Sequence, residues 1–144
     1  MFKLDHIGIV SKKIEELADV FRQLGLTEKT ESVPFDPLKV TASFINVGKE
    51  DDVYLELLEP TEDNSAISGF IKKRGSGLHH LCFEVDNIEK VSEELKAKGL
   101  QMVISPSDCA SYDINLNREC SASTKIAFFM TKNKLLIELI EKGV

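Results

Sequence analysis

The sequence predicts an α+β fold in which two tandem βαβββ modules join into one curved, mostly antiparallel sheet around a cleft. Two observations carry that prediction. The first is an internal repeat: L-D-H-I-G-I-V (Leu4 to Val10) and L-H-H-L-C-F-E-V (Leu78 to Val85) are each followed by an amphipathic helical pattern. The second is that each half closes on an apolar strand with one carboxylate inside it, Tyr54-Leu55-Glu56-Leu57-Leu58 and Leu136-Ile137-Glu138-Leu139-Ile140. Neither half alone could bury a good core, whereas two side by side would share one. The 144 residues are therefore expected to form one domain, with module one over about 1–60, a connection over 61–77 and module two over about 78–144.

The elements follow in order. Residues 3–10 alternate and are rich in Ile and Val, as a half-buried strand is. Ser11 offers an N-cap. Ile14, Leu17, Ala18, Phe21 and Leu24 then recur at helical spacing up to the stop signal Gly25. Apolar and β-branched stretches near 27–33, 39–47 and 52–59 read as strands, separated by turns at Pro34–Pro37 and Gly48–Asp52. Pro60 ends the last of them, a short helix is expected over Ala66–Lys73, and Arg74–Gly77 is a flexible turn. The pattern then restarts. Leu78–Val85 is a strand, and Asp86–Glu89 has capping-box spacing before a helix that ends at Lys98-Gly99. Gln101–Ser105, Lys125–Thr131 and Leu135–Glu141 are strands, the last two joined at Lys132–Lys134. Residues 106–124 are long, polar and aperiodic, and read equally as a binding loop or a disordered excursion.

Bulk properties exclude some functions. The net charge of −6 lacks the basic footprint that nucleic acid requires. No apolar run approaches the roughly 20 residues that span a bilayer. The opening residues show no signal-peptide pattern, and three cysteines at irregular spacing suit reduced thiols, so a cytoplasmic protein is expected. There is no C-x-x-C, P-loop or G-x-G-x-x-G.

Strand alternation selects the candidate site. His6 shares a face with Leu4, Gly8 and Val10, while Ile7 and Ile9 turn toward the helix. His80 shares a face with Cys82 and Glu84, which leaves His79 on the other side. Glu56 and Glu138 are the lone charges of their apolar runs, with no Lys or Arg inside those strands to neutralise them, and a buried charge is costly unless it is paired or bound to metal. Glu59 and Glu141, at strand ends, are read as surface charges. Two imidazoles and two carboxylates suit one divalent ion (Co, Ni, Mn, Zn or Fe) with positions left for substrate oxygens. The cleft is thus expected to be a metal-binding one, with His6, Glu56, His80 and Glu138 as ligands.

The duplicated βαβββ pattern with His…Glu…His…Glu resembles the vicinal oxygen chelate superfamily, which includes glyoxalase I and extradiol dioxygenases. Within it, the stretch E-L-L-E-P-T-E-D-N-S-A-I-S-G-F-I-K-K-R-G-S-G-L-H-H-L-C-F-E-V-D-N-I-E (Glu56 to Glu89) is similar to the methylmalonyl-CoA epimerases. So are L-D-H-I-G-I-V, the L-G-L after the first helix, and K-I-A-F-F with L-I-E-L near the end. The resemblance implies the same four metal ligands. It also implies a metal-dependent isomerase that removes a proton next to a carbonyl of an acyl-CoA, with Glu138 as base, Glu56 as the alternative or as the second acid/base, and a homodimer. Glu rather than Gln at position 56 is more like bacterial glyoxalase I, so a lactoylglutathione lyase acting on a glutathione hemithioacetal is the alternative. A non-catalytic binding or resistance protein is the third reading. Residues 108–121 and 130–134 depart from the epimerase pattern. Val40 and Ala42 lie near where some epimerases carry a further acid/base.

Overall fold

The computed structural model describes residues 2–48 and 53–144. The first half supplies β1 (Lys3–Val10), α1 (Ile14–Gln23), β2 (Val33–Phe35), β3 (Val40–Asn46) and β4 (Tyr54–Pro60), and α2 (Ser68–Arg74) lies in the connection. The second half supplies β5 (Gly77–Glu84), α3 (Ile88–Ala97), β6 (Gln101–Asp108), α4 (Ala110–Asn115), β7 (Lys125–Met130) and β8 (Leu136–Glu141). The expected βαβββ pattern is present twice, with α4 inserted between β6 and β7 of the second copy.

The eight strands among the described residues form one sheet in the order β2-β3-β4-β1-β5-β8-β7-β6. Within each half the first strand pairs in parallel with the last, β1 with β4 and β5 with β8. The remaining neighbours are antiparallel, including β1 with β5, where the two halves meet. The two histidine-bearing strands therefore lie side by side at the centre, each flanked by the glutamate-bearing strand of its own half.

The helices divide between the two faces. On the convex face α1 sets Ile14 and Ala18 against Ile9, Ile45 and Leu57. There α3 packs Ile88 with Val85, Ala127, Phe129 and Leu139. On the concave face Ile67 and Ile71 of the α2 region pack with Val10, Val40, Ala42 and Leu58, and Tyr112 of α4 packs with Phe44, Ile126 and Phe128. The cleft opens between these last two clusters.

Several local expectations are corrected. Residues 27–32 form no regular strand; Lys29 makes only an isolated bridge to Ile45. The strand instead spans Val33–Phe35, followed by a 3-10 turn over Asp36–Leu38. Pro34 is tolerated because β2 is a sheet edge, where a missing N–H costs no ladder bond. Residues 49–52 of the expected second turn lie outside the described residues. The polar 106–124 segment is ordered, since β6 runs on to Asp108 and α4 follows.

Ser11 is not a helix cap either. Lys13 holds that position in α1 without a side-chain cap. Instead Ile14 N–H donates to the Glu59 carboxylate at 3.0 Å, and Ile88 N–H at the start of α3 donates to Glu141 at 2.9 Å. The two glutamates read as surface charges are thus equivalent long-range caps, each tying a helix N-terminus to the end of its module's last strand. A carboxylate there satisfies an otherwise orphaned donor and complements the helix dipole. Asn87 adds a local cap on α3, accepting from Lys90 N–H at 3.0 Å.

Candidate metal centre

Sheet register explains why four residues far apart in sequence converge. Gly8 on β1 lies opposite Glu56 on β4 and opposite His80 on β5. Cys82 on β5 lies opposite His6 on β1 and Glu138 on β8. Two rows therefore run across the concave face, Glu56–Gly8–His80 and His6–Cys82–Glu138, each with a small residue between its two ligand side chains. The rows extend outward to Phe44, opposite Glu56, and Phe128, opposite Glu138. Phe44 meets the His6 ring edge-on at 5.5 Å between centroids, and Phe128 meets His80 likewise at 5.5 Å. The phenylalanines escaped the sequence reading; Gly8 and Cys82 were placed on the face of the histidines, but their positions between candidate ligands follow only from the register.

The four expected ligands come together. His6 Nε2 lies 3.0 Å from Glu138 Oε1 and 3.3 Å from Glu56 Oε1. His80 Nε2 lies 3.1 Å and 3.2 Å from the same two atoms, and the two Nε2 atoms are 3.4 Å apart. Donor atoms bonded at about 2.1 Å to a common centre would be separated by roughly 3.0–3.4 Å in an octahedral or tetrahedral arrangement. The spacing and the N₂O₂ donor set both fit a divalent ion. His6, His80 and Glu138 are buried and Glu56 is half-buried.

Each histidine is also held from behind. A register shift between Leu4 and His6 leaves Asp5 as an extra residue on β1, and a second shift between Gly8 and Ile9 leaves His79 extra on β5. Such bulges re-aim a side chain against strict alternation. Asp5 Oδ2 lies 2.7 Å from His6 Nδ1, and His79 Nδ1 lies 2.9 Å from His80 Nδ1. His79, placed on the far face by alternation, therefore lines the pocket and touches a ligand. In both cases Nδ1 is engaged and Nε2 faces the centre, the arrangement by which outer groups orient metal-binding imidazoles.

The electrostatics match. Burial works against charge on His6, but the carboxylates of Glu56 and Glu138 and the Asp5 hydrogen bond outweigh it and hold its pKa well above the ordinary range. His80 is raised by its hydrogen bonds to Glu138 and Glu56 despite burial. The carboxyls of Glu56 and Glu138, which burial alone would raise, are held down by His6 and His80. His79 is pushed down to about 4 by burial and by the neighbouring His80.

The centre lies in an apolar pocket whose wall includes Phe35, Leu38, Val40, Ala42, Leu58 and Ile67, with Cys109, Ser111 and Tyr112 on the α4 side. Burial pushes the Cys109 thiol up to about 11. Burial and Asp5 raise the Tyr112 phenol. Cys82 is fully buried and serves as a small core residue.

Comparison with known proteins agrees with this architecture. The chain is 33% identical over 100 residues to the human mitochondrial methylmalonyl-CoA epimerase, a match covering 69% of this chain and 55% of that protein. The chain thus spans about half the length of that relative. A hypothetical protein from Bacillus halodurans C-125 superposes with a TM-score of 0.81 at 29% identity, covering 99% of this chain and 96% of the other. A Streptomyces coelicolor methylmalonyl-CoA epimerase in complex with 2-nitronate-propionyl-CoA superposes with a TM-score of 0.79 at 24% identity, covering 99% and 98%, a likeness of fold. The profile of the Glyoxalase/Bleomycin resistance protein/Dioxygenase superfamily matches residues 5–115, which takes in His6, His80, Glu56 and α4. Paired βαβββ modules and that match lead to one conclusion: the chain belongs to the Glyoxalase/Bleomycin resistance protein/Dioxygenase superfamily.

Proposed function

We propose that this protein is a divalent-metal-dependent epimerase that inverts the carbon next to the thioester carbonyl of methylmalonyl-CoA or a close acyl-CoA homologue. The observation that carries the reading is the pair Glu56 and Glu138, one from each half, meeting two imidazoles at the end of an apolar pocket. The named epimerase relatives support the substrate class.

An α-proton of a thioester is too weakly acidic for an unaided carboxylate. A divalent ion held by His6, Glu56, His80 and Glu138 would stabilise the negative charge that develops on the carbonyl oxygen. Glu138, held anionic, would take the proton from one face of the α-carbon; Glu56, from the opposite half, would have to carry a proton in that state to return it at the other face, and the reverse turnover exchanges the two roles. The other ionisable groups in the pocket suit this work less well. Cys109 holds its proton, Tyr112 donates to Asp5, and Val40 and Ala42 offer no acid or base. The apolar wall excludes water that would compete for the reacting carbon.

The test is solvent exchange. In deuterated buffer the metal-loaded protein should place deuterium at the α-carbon of methylmalonyl-CoA, and the chelated protein should not. Absence of exchange together with metal-dependent turnover of a glutathione hemithioacetal would favour the lyase instead, the reading that Glu at position 56 supports.

A further inference from the structure

The two histidines occupy equivalent positions but have unlike backing: a carboxylate stands behind His6 and an imidazole behind His80. We propose that Tyr112 and Asp5 are positioning residues for His6, a relay from α4 that fixes the ring with Nδ1 engaged and Nε2 aimed at the metal centre. The proposal rests on the metal-centre reading above and deepens it.

The geometry is specific. The bulge brings Asp5 into the interior, where only 3% of it is exposed. Its carboxylate meets His6 Nδ1 at 2.7 Å and accepts from the Tyr112 hydroxyl at 3.0 and 3.1 Å and from Lys142 Nζ at 2.9 Å. Three donors converge on one carboxylate, so it has little freedom to rotate away from the ring. Tyr112 is fixed in turn, because α4 is anchored on both sides. With its amide nitrogen facing carbonyls, Asn115 donates to Glu31 O at 3.0 Å and Ala42 O at 3.2 Å, which ties α4 to the first half. Asp113 accepts from Thr124 at 2.7 Å and from Arg118, which also donates to the Gly143 carbonyl at 3.0 Å. The segment that has no counterpart in the first half thereby reaches the centre through a single phenol.

The relay makes the equivalent ligands unequal. Hydrogen bonding to a carboxylate raises the basicity of a metal-bound imidazole, and removing such an outer partner costs on the order of 10–100-fold in metal affinity. Asp5 should therefore matter more than His79.

The test uses the 144-residue chain and Co²⁺ without substrate, following visible absorption and calorimetric titration. Asp5→Asn should weaken Co²⁺ binding by about 10–100-fold, and His79→Gln by less. Tyr112→Phe, which removes only a hydroxyl, should weaken binding several-fold and shift the Co²⁺ spectrum. It should have no added effect in the Asp5→Asn background, because Tyr112 acts through Asp5. A merely structural tyrosine would lower the melting temperature and leave both readouts unchanged. The proposal is overturned if Tyr112→Phe binds Co²⁺ within twofold of wild type, or if its effect persists undiminished in the double variant. Should Asp5→Asn not fold, the affinity and spectrum of Tyr112→Phe alone decide. A wild-type protein with no Co²⁺ absorption would overturn the metal centre itself along with the relay.

Discussion

At the scale of single residues, the centre depends on what is small as much as on what coordinates. Gly8 separates Glu56 from His80, and a Cβ at that position would sit well inside contact distance of the His80 ring. Gly8→Ala should displace His80 and cost metal affinity more than it costs folding, which titration of Co²⁺ beside thermal melting would reveal. Glu138→Gln should lower turnover about 10²–10⁴-fold, the usual contribution of a general base; full turnover with metal bound would remove Glu138 from that role. A third expectation concerns protons. His6 and His80 are raised from an ordinary value of 6.5, yet only neutral rings bind metal, so loading must release protons. Metal affinity should climb as pH rises through the raised values and level off above them. Calorimetry in buffers of different ionisation enthalpy reads this directly. In the metal-free protein the sign is opposite for stability: the contribution of the charged rings is complete below 6.5 and lost as pH rises through their folded values. The four converging side chains were legible in the sequence because a lone His and a lone Glu recur in matching strands. Asp5 and His79 were not, because a bulge breaks the alternation on which that reading relies.

At the scale of elements, each module closes on itself by a glutamate that caps its own helix from the end of its last strand. Glu59→Ala and Glu141→Ala should each cost about 0.5–2 kcal/mol, the range for loss of a helix cap. Because the two contacts share no partner, the losses should add in the double variant. Thermal melts of the two single variants and the double variant test this, and a strongly non-additive result would mean the two ends communicate. Helix α1 was legible from its apolar spacing, but its cap was not, since Ser11 is an adequate local candidate and its hydroxyl is engaged by Glu16 and Ser76 instead. The shift of β2 to Val33–Phe35 was equally hidden. The apolar residues near 27–33 resemble a strand, while Pro34 marks a turn in any reading that does not know which strand is at the edge.

At the scale of the whole molecule, a metal bound at the proposed centre would act as a crosslink: each row of candidate ligands draws on both halves, and the rows meet where β1 pairs with β5. Metal loading should therefore stabilise the fold as one unit. At 100 times Kd the gain is about 2.7 kcal/mol, roughly 5–10 °C in a domain of this size. Scanning calorimetry should show one transition moving upward; two transitions with only one shifted would contradict a shared centre. The sequence by itself determined the duplicated βαβββ plan and picked out the four side chains, His6, Glu56, His80 and Glu138, that the fold gathers into one cluster, because periodicity and repetition are written in linear order. Tertiary structure decided the rest. Register set the small residues between the ligands, bulges turned Asp5 and His79 toward them, the sheet brought Glu59 and Glu141 to the helix ends, and α4 carried Tyr112 into the centre. Each of these depends on which strands are neighbours and where the ladder slips, and contacts as far apart in sequence as Ile14 with Glu59 or Asp5 with Tyr112 leave no local pattern to read.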